Sequence, residues 1–183
     1  KRNVAVRHLD AVESLGSVQV FCMDKTGTLT MNRMSVVSVY SGAKEYDVQA
    51  QQFLLNGSPI DPMRHEELVR LMQVVSLCSE TEIQGTLTDF ELEGSATENA
   101  LVELALKSGI DVGELRQNHT KLRTRYRAEG RPYMSTLHPD NDGKHLLAVK
   151  GSPDAILSLC GHQMKDGRKI RLTRQARDKI LAQ

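Results

Sequence analysis

Tryptophan is missing from this chain of 183 residues, and aromatic side chains of any kind make up only 4% of it. A core must therefore rest on Leu, Val, Ile, Ala and Met, within a hydrophobic content of 39% that suits a soluble domain. No apolar run approaches the roughly 18 residues that a membrane-spanning helix needs, and no signal-peptide pattern is present. The chain is accordingly expected to make no direct membrane insertion and to transport nothing by itself. Cysteine is scarce as well. Cys22, Cys78 and Cys160 lie in separate segments without Cys-x-x-Cys or Cys/His spacing. That excludes a disulfide framework and a zinc site and predicts small buried hydrophobes in a reducing compartment. The six histidines are scattered, so no metal is assigned to them. Charge of one sign is lacking too: 24 Lys and Arg face 23 Asp and Glu. A dedicated nucleic-acid surface needs a clear positive field, so no nucleic-acid partner is expected. The Gly-x-x-x-x-Gly-Lys-Ser/Thr pattern of a P-loop kinase or GTPase is not found, and neither is an internal repeat.

What is present is concentrated in Asp24-Lys25-Thr26-Gly27-Thr28-Leu29-Thr30, preceded by the apolar run Val18–Met23. That run predicts a short buried strand between Gly16 and a Gly-containing turn. Asp24 then stands at the strand's carboxyl end, where open α/β sheets place their ligands. A carboxylate beside the donors of Thr26, Gly27 and Thr28 is suited to attack a phosphoryl group and become an aspartyl phosphate. On local pattern alone, an ordinary strand followed by a polar turn is the competing reading.

The chain divides by texture near residue 34. Residues 1–33 hold an amphipathic pattern at Val4–Leu15, which predicts a helix ending at Gly16, then the Val18–Met23 strand and the Asp24 loop. One helix and one strand cannot close a parallel sheet, so this is expected to be part of a domain. Residues 34–183 read as an α+β domain, a mixed or antiparallel sheet with flanking helices. Strands are predicted at Met34–Tyr40, Lys44–Val48, within Gly85–Leu92, and at Thr120–Ala128, Tyr133–Leu137 and His145–Val149. Helices are predicted at His65–Ser79, Ser95–Lys107, Asp111–Gln117, Pro153–Leu159 and Leu172–Leu181. Gln49–Met63 reads as loop, Asn141-Asp142-Gly143 as a hairpin turn and Lys165–Arg168 as another turn.

Three segments have both a bland and a chemical reading. Ser95 and Glu98 have capping-box spacing, which gives Glu98 a purely structural task. Lys150-Gly151-Ser152-Pro153 is either a simple strand-to-helix turn or a place where a ligand approaches backbone at Gly151 beside the Lys150 charge. The basic stretch Lys121–Arg131 is either a solvated face or a contact for polyphosphate.

The run from Cys22 to Asn32 resembles the phosphorylation signature of P-type ion-pumping ATPases, whose catalytic domain is haloacid-dehalogenase-like. The resemblance implies that 1–33 are part of that phosphorylation domain and that 34–183 are most of the nucleotide-binding domain inserted after it. It gives Asp24 the γ-phosphoryl of ATP, Lys25 and Thr26 a part in holding phosphate, and Asp24 with Thr26 a share in binding Mg2+. A phosphatase of the same superfamily usually carries Asp-x-Asp, and Thr26 stands at the second Asp. Lys150-Gly151-Ser152-Pro153-Asp154 matches the family's Lys-Gly-Ala/Ser-Pro-Glu/Asp segment, which places Lys150 and Gly151 at the nucleotide. Gly94–Leu101 matches a Gly-x-x-Thr-Glu-x-Ala-Leu segment, which places Glu98 at the adenine amino group. Arg131 and Met134 align with Arg-Lys-x-Met-Ser/Ala, with Pro132 where Lys is usual. The family's stacking Phe falls seven residues before the Met, at Arg127. Tyr126 is adjacent, and either Tyr126 stacks on the base or Arg127 covers it by a cation–π contact; Tyr126 is favoured.

The resemblance further implies a parent in a cell or organelle membrane, with this portion facing the cytoplasm. Its partners would be ATP and the remaining phosphorylation, actuator and membrane domains. Without the downstream Gly-Asp-Gly-x-Asn-Asp segment and a further Lys, the chain is expected to bind ATP without turning it over. The segments resemble cation pumps of the calcium or sodium/potassium kind. A lipid-flipping relative and a noncatalytic interaction domain are the alternatives.

Overall fold

The computed structural model describes residues 16–20, 22, 33–49, 52–85, 89–140 and 143–183. The expected Val4–Leu15 helix and the Asp24 loop, with Asp24, Lys25 and Thr26, lie outside the described residues. The chain divides into two units, Lys1–Arg33 and Met34–Gln183. In the first, Val18, Gln19, Val20 and Cys22 stand outside regular structure, and Val20 is 76% exposed. The expected strand is not formed at these positions. A fully apolar strand requires neighbours and covering helices, and among the described residues no strand pairs with it. Cys22 is exposed and Cys160 only half-buried, so the expectation of buried cysteines holds for Cys78 alone.

The second unit opens with an antiparallel meander, β1 (Ser38–Ser41), β2 (Lys44–Gln49), β3 (Gln52–Leu55) and β4 (Ser58–Ile60). β1 begins four residues later than the apolar run suggests, because Val36 packs on the core from outside the ladder. The β3–β4 hairpin replaces most of the expected loop over 49–63. Its signal is Asn56-Gly57, both with positive φ (52° and 77°), the backbone that a two-residue hairpin turn demands.

Helix α1 (Glu66–Leu77) and helix α2 (Ala96–Lys107) pack together and against this meander, with the hairpin β5 (Glu82–Gly85) and β6 (Phe90–Glu93) between them in sequence. Their apolar stripes supply Leu68, Met72, Val102 and Ala105 to the core. Tyr46 and Phe53 are its largest fully buried side chains, so the few aromatics carry more of the core than their number suggests.

Helix α3 (Val112–Asn118) leads into a second antiparallel sheet, β7 (Arg123–Arg125), β8 (Tyr133–Pro139) and β9 (His145–Gly151). β8 and β9 form a hairpin, as the Asn-Asp-Gly signal predicts; Gly143 has φ 68°, while Asn141 and Asp142 lie outside the described residues. The face carrying Met134 and Ala148 packs on Leu77 and Cys78 at the end of α1. Helix α4 (Pro153–Leu159), the hairpin β10 (His162–Lys165) and β11 (Arg168–Arg171), and helix α5 (Arg174–Leu181) complete the chain. Every pairing of named strands among the described residues is antiparallel. No helix among them is long and apolar enough to cross a membrane.

Candidate functional site

Glu98 occupies the first turn of α2, where its backbone N–H donates to the Ser95 N-cap hydroxyl at 3.3 Å. That is half of the expected capping box. Its carboxylate turns instead to the segment after α1: Oε2 accepts from the Ser79 hydroxyl at 2.8 Å and from the Glu80 N–H at 2.9 Å. Oε1 pairs with the Lys150 ammonium. Burial pushes the Glu98 carboxyl up, yet the bonds from Lys150, Glu80 and Ser79 outweigh it and hold the group below the usual carboxylate range.

Lys150 reaches this place because β8 and β9 pair Met134 with Lys150. Directly opposed residues of an antiparallel pair share a face, so a buried methionine and a half-buried lysine stand side by side. The Met134 side of the sheet is fixed to α1 through its carbonyl, which accepts from the Cys78 thiol at 3.6 Å. Gly151 is needed one residue later. A Cβ there would stand 2.4 Å from the Tyr133 Cβ and 2.5 Å from the Pro132 oxygen. Its place in the fold is thus to let the end of β9 close on β8, and it does not line the cavity described next.

A cavity of about 400 Å³ opens at this junction. Met134 and Leu101 give it an apolar side, Glu98 and Lys150 a charged one, and Tyr126 with Arg127 a rim from the loop after β7. Tyr126 is 56% exposed and lies one residue beyond β7, so it is not part of a strand core. Its hydroxyl donates to Glu80 Oε1 at 2.6 Å, a bond that raises the phenol pKa. Arg131 does not line the cavity. Its Nη2 donates to the Tyr126 carbonyl at 2.7 Å, so it holds the loop that presents Tyr126.

Five of the residues singled out by sequence, Glu98, Tyr126, Arg127, Met134 and Lys150, therefore meet around one cavity, while Arg131 and Gly151 are not among its lining residues. Sequence reasoning passed over Ser79 and Glu80, which follow the end of α1 with no motif to mark them. Their segment is braced from below. The Arg116 guanidinium donates to the Ser76 carbonyl at 3.0 and 3.1 Å and to the Thr81 carbonyl at 2.8 Å, and Lys121 Nζ donates to the Ser79 carbonyl at 3.1 Å. Lys121 thus has a structural task within the basic stretch. No group of three His, Cys, Asp or Glu among the described residues is arranged to hold a metal ion. Asp24 and Thr26, the residues expected at Mg2+, lie outside them.

The family model for P-type ATPase, cytoplasmic domain N, matches residues 67–183, the stretch that contains the cavity. The cation-transporting ATPase pma1 of Synechocystis sp. is 35% identical over 192 residues, covering 95% of this chain and 20% of that protein. A calcium-transporting ATPase of Bacillus subtilis is 31% identical over 173 residues, covering 91% of this chain and 19% of its own length. The sodium/potassium-transporting ATPase subunit alpha-4 of Rattus norvegicus is 30% identical over 176 residues, with 92% and 17% covered. The chain thus spans no more than 20% of the length of these relatives. With more than half its length matched to domain N, this chain belongs to the P-type ATPase family.

Proposed function

We propose that residues 34–183 are the nucleotide-binding domain of an ATP-driven cation pump and that residues 1–33 are the start of its phosphorylation domain. The observation that carries this reading is the meeting of Glu98, Tyr126, Arg127, Met134 and Lys150 around one cavity from three separate parts of the chain. A carboxylate offers about four lone-pair sites, of which three are engaged at Glu98. The remaining site on Oε1 accepts from the adenine amino group. Tyr126 covers the face of the base, and Met134 supplies the apolar floor on which it rests. A carboxylate repels phosphate, so Glu98 belongs to the base end of the ligand.

Glu80 and Glu98 balance Arg127 and Lys150 in the cavity wall. The wall itself therefore attracts a polyphosphate weakly, and Pro132 at the usual Lys position weakens it further. In the intact pump an Asp24 oxygen attacks the γ-phosphorus of ATP, the bond to the β–γ bridging oxygen breaks, and ADP leaves with that electron pair. Water then cleaves the acyl phosphate. The family uses Mg2+ to offset charge during this transfer, and Asp24 and Thr26 are the residues of this chain expected to take part in holding it. The transported species is a cation, in line with the cation-, calcium- and sodium/potassium-transporting relatives.

Titrating the 183-residue chain with ATP by calorimetry tests the reading. Saturable binding is expected, weakened about tenfold in Glu98→Ala, the loss of one charge-assisted hydrogen bond. No phosphate release above background is expected. Failure to bind ATP overturns the binding reading in favour of a nucleotide-independent interaction domain. Sustained phosphate release that disappears in Asp24→Asn overturns the claim that the chain alone does not turn over.

A further inference from the structure

Glu80 touches two other residues of the cavity wall, Glu98 and Tyr126. Its backbone N–H donates to Glu98 Oε2 at 2.9 Å, and its side-chain Oε1 accepts from the Tyr126 hydroxyl at 2.6 Å. Glu80 follows the end of α1 and Tyr126 follows β7, so this bond joins two loops 46 residues apart in sequence. From the other side, Arg131 holds the Tyr126 carbonyl at 2.7 Å. Tyr126 is thereby tied at its backbone and at the tip of its ring, although it is 56% exposed and has little packing to fix it.

An exposed aromatic side chain on a loop samples several rotamers, and a ligand that stacks on it must bear the loss of that freedom. A ring already fixed in the binding geometry avoids that loss. The ring face alone performs stacking, for which phenylalanine would serve equally well. A hydroxyl anchored on a carboxylate adds something different, which is orientation. We propose that Glu80 is a positioning residue for nucleotide binding, one that holds the Tyr126 ring over the cavity through the phenol hydroxyl and ties it to the Glu98 carboxylate through its own N–H. This inference rests on the nucleotide reading above and goes beyond it, because it makes affinity depend on a hydroxyl that never touches the base and on a residue outside every motif in the chain.

The test is a double-mutant cycle in the 183-residue chain, with ATP affinity read by calorimetry. Tyr126→Phe keeps the ring and removes the hydroxyl; Glu80→Ala removes the acceptor and keeps the N–H to Glu98. Each single variant is expected to weaken ATP binding about three- to tenfold, within the range for the net contribution of one hydrogen bond. The double variant is expected to be no weaker than the weaker single. Glu80→Gln, which retains an acceptor oxygen, is expected to recover part of the loss, and a residue with only a structural task would show no such graded rescue.

A second readout needs no nucleotide. The Tyr126 phenol titrates above its ordinary range because the Glu80 carboxylate accepts its proton in a hydrogen bond. Its ultraviolet titration, isolated by subtracting Tyr126→Phe, is expected to move down in Glu80→Ala. ATP affinity unchanged in Tyr126→Phe, unchanged in Glu80→Ala, or reduced additively in the pair overturns the inference while leaving the nucleotide reading intact. An unaltered chain that does not bind ATP overturns the nucleotide reading and the inference together, and the phenol titration then reports only whether the tie exists.

Discussion

Helices α1 and α2 differ from α4 and α5 in a way their lengths do not reveal. The first pair buries a stripe of side chains each, including Leu68, Met72, Val102 and Leu104. The second pair buries none, and Leu172 is the only buried residue from Ser152 to the end of the chain. That stretch is held by directed polar contacts. Arg177 donates to the carbonyls of Leu157 and Cys160, Leu172 N–H donates to the Gly161 carbonyl at 3.0 Å, and the β10–β11 turn is tied at Gly167 N–H to Glu67 at 2.7 Å. Burial contributes to cooperative stability in proportion to area, whereas exposed polar ties open one at a time. Glu98 and Met134 belong to the buried region, and Lys150 stands at its border, two residues before the exposed one begins.

The widest separation between the two regions should come from large-to-small substitutions. Leu68 is fully buried in the first turn of α1, and Leu68→Ala is expected to destabilise the fold by about 2–5 kcal/mol, transfer and cavity terms together. Leu159, at the end of α4, is 59% exposed, and Leu159→Ala is expected to stay within about 0.5 kcal/mol. Urea denaturation of both variants measures the difference; equal effects would mean that the C-terminal stretch is part of the same cooperative unit.

A smaller effect is expected where the regions meet. Lys150→Met removes the cation but keeps much of the stem that packs beside Met134, leaving the Glu98 carboxylate with Ser79 and Glu80 alone. Destabilisation at neutral pH of about 1–3 kcal/mol is expected, the range for a group that loses one hydrogen-bond partner. Its pH dependence sharpens the case. The Glu98 pKa is lowered in the folded state, so the unfolded chain binds the proton more readily. The stabilisation is complete above the unfolded pKa, near 4.5, and is lost as pH falls through the folded value. In Lys150→Met the largest opposing force, burial, meets fewer bonds, so this acid-side loss is expected to shrink. An unchanged acid limb in the denaturation profile would show that the ion pair does not set the Glu98 titration.

Much of this division was legible in the sequence, and the parts that were not have physical reasons. The spacing of apolar residues marks α1 and α2, because a helix that buries a stripe must repeat near every third or fourth residue. The Lys150, Glu98 and Met134 motifs name residues that do meet around the cavity. Met34–Val37 and Val18–Val20 look like strand for the same reason that true strands do, yet only pairing makes a strand, and pairing depends on segments distant in sequence. The β10–β11 strands escape notice because β11 is exposed along its length and has no burial alternation to read. Glu80 escapes for a related reason: its partners are 18 and 46 residues away, and no local pattern encodes them.

The smallest effect, and the most local, is expected at Thr173. Its hydroxyl accepts from the Ala176 N–H at 3.2 Å, closing the first turn of α5. Removing such a cap costs about 0.5–2 kcal/mol of helix stability. In a helix that buries a stripe, that loss would pass into the cooperative unfolding of the whole domain. Helix α5 buries no side chain, and an eight-residue helix is marginal without tertiary support. The loss in Thr173→Ala should therefore appear as faster amide exchange confined to residues 174–181, with the urea midpoint of the domain unchanged. Ser95→Ala provides the matched comparison, because the same kind of cap there opens α2, whose stripe is buried. That variant is expected to shift the midpoint instead. If Thr173→Ala shifts the midpoint as Ser95→Ala does, polar ties and buried area hold this domain in the same cooperative way, and the contrast between its two regions does not extend to their stability.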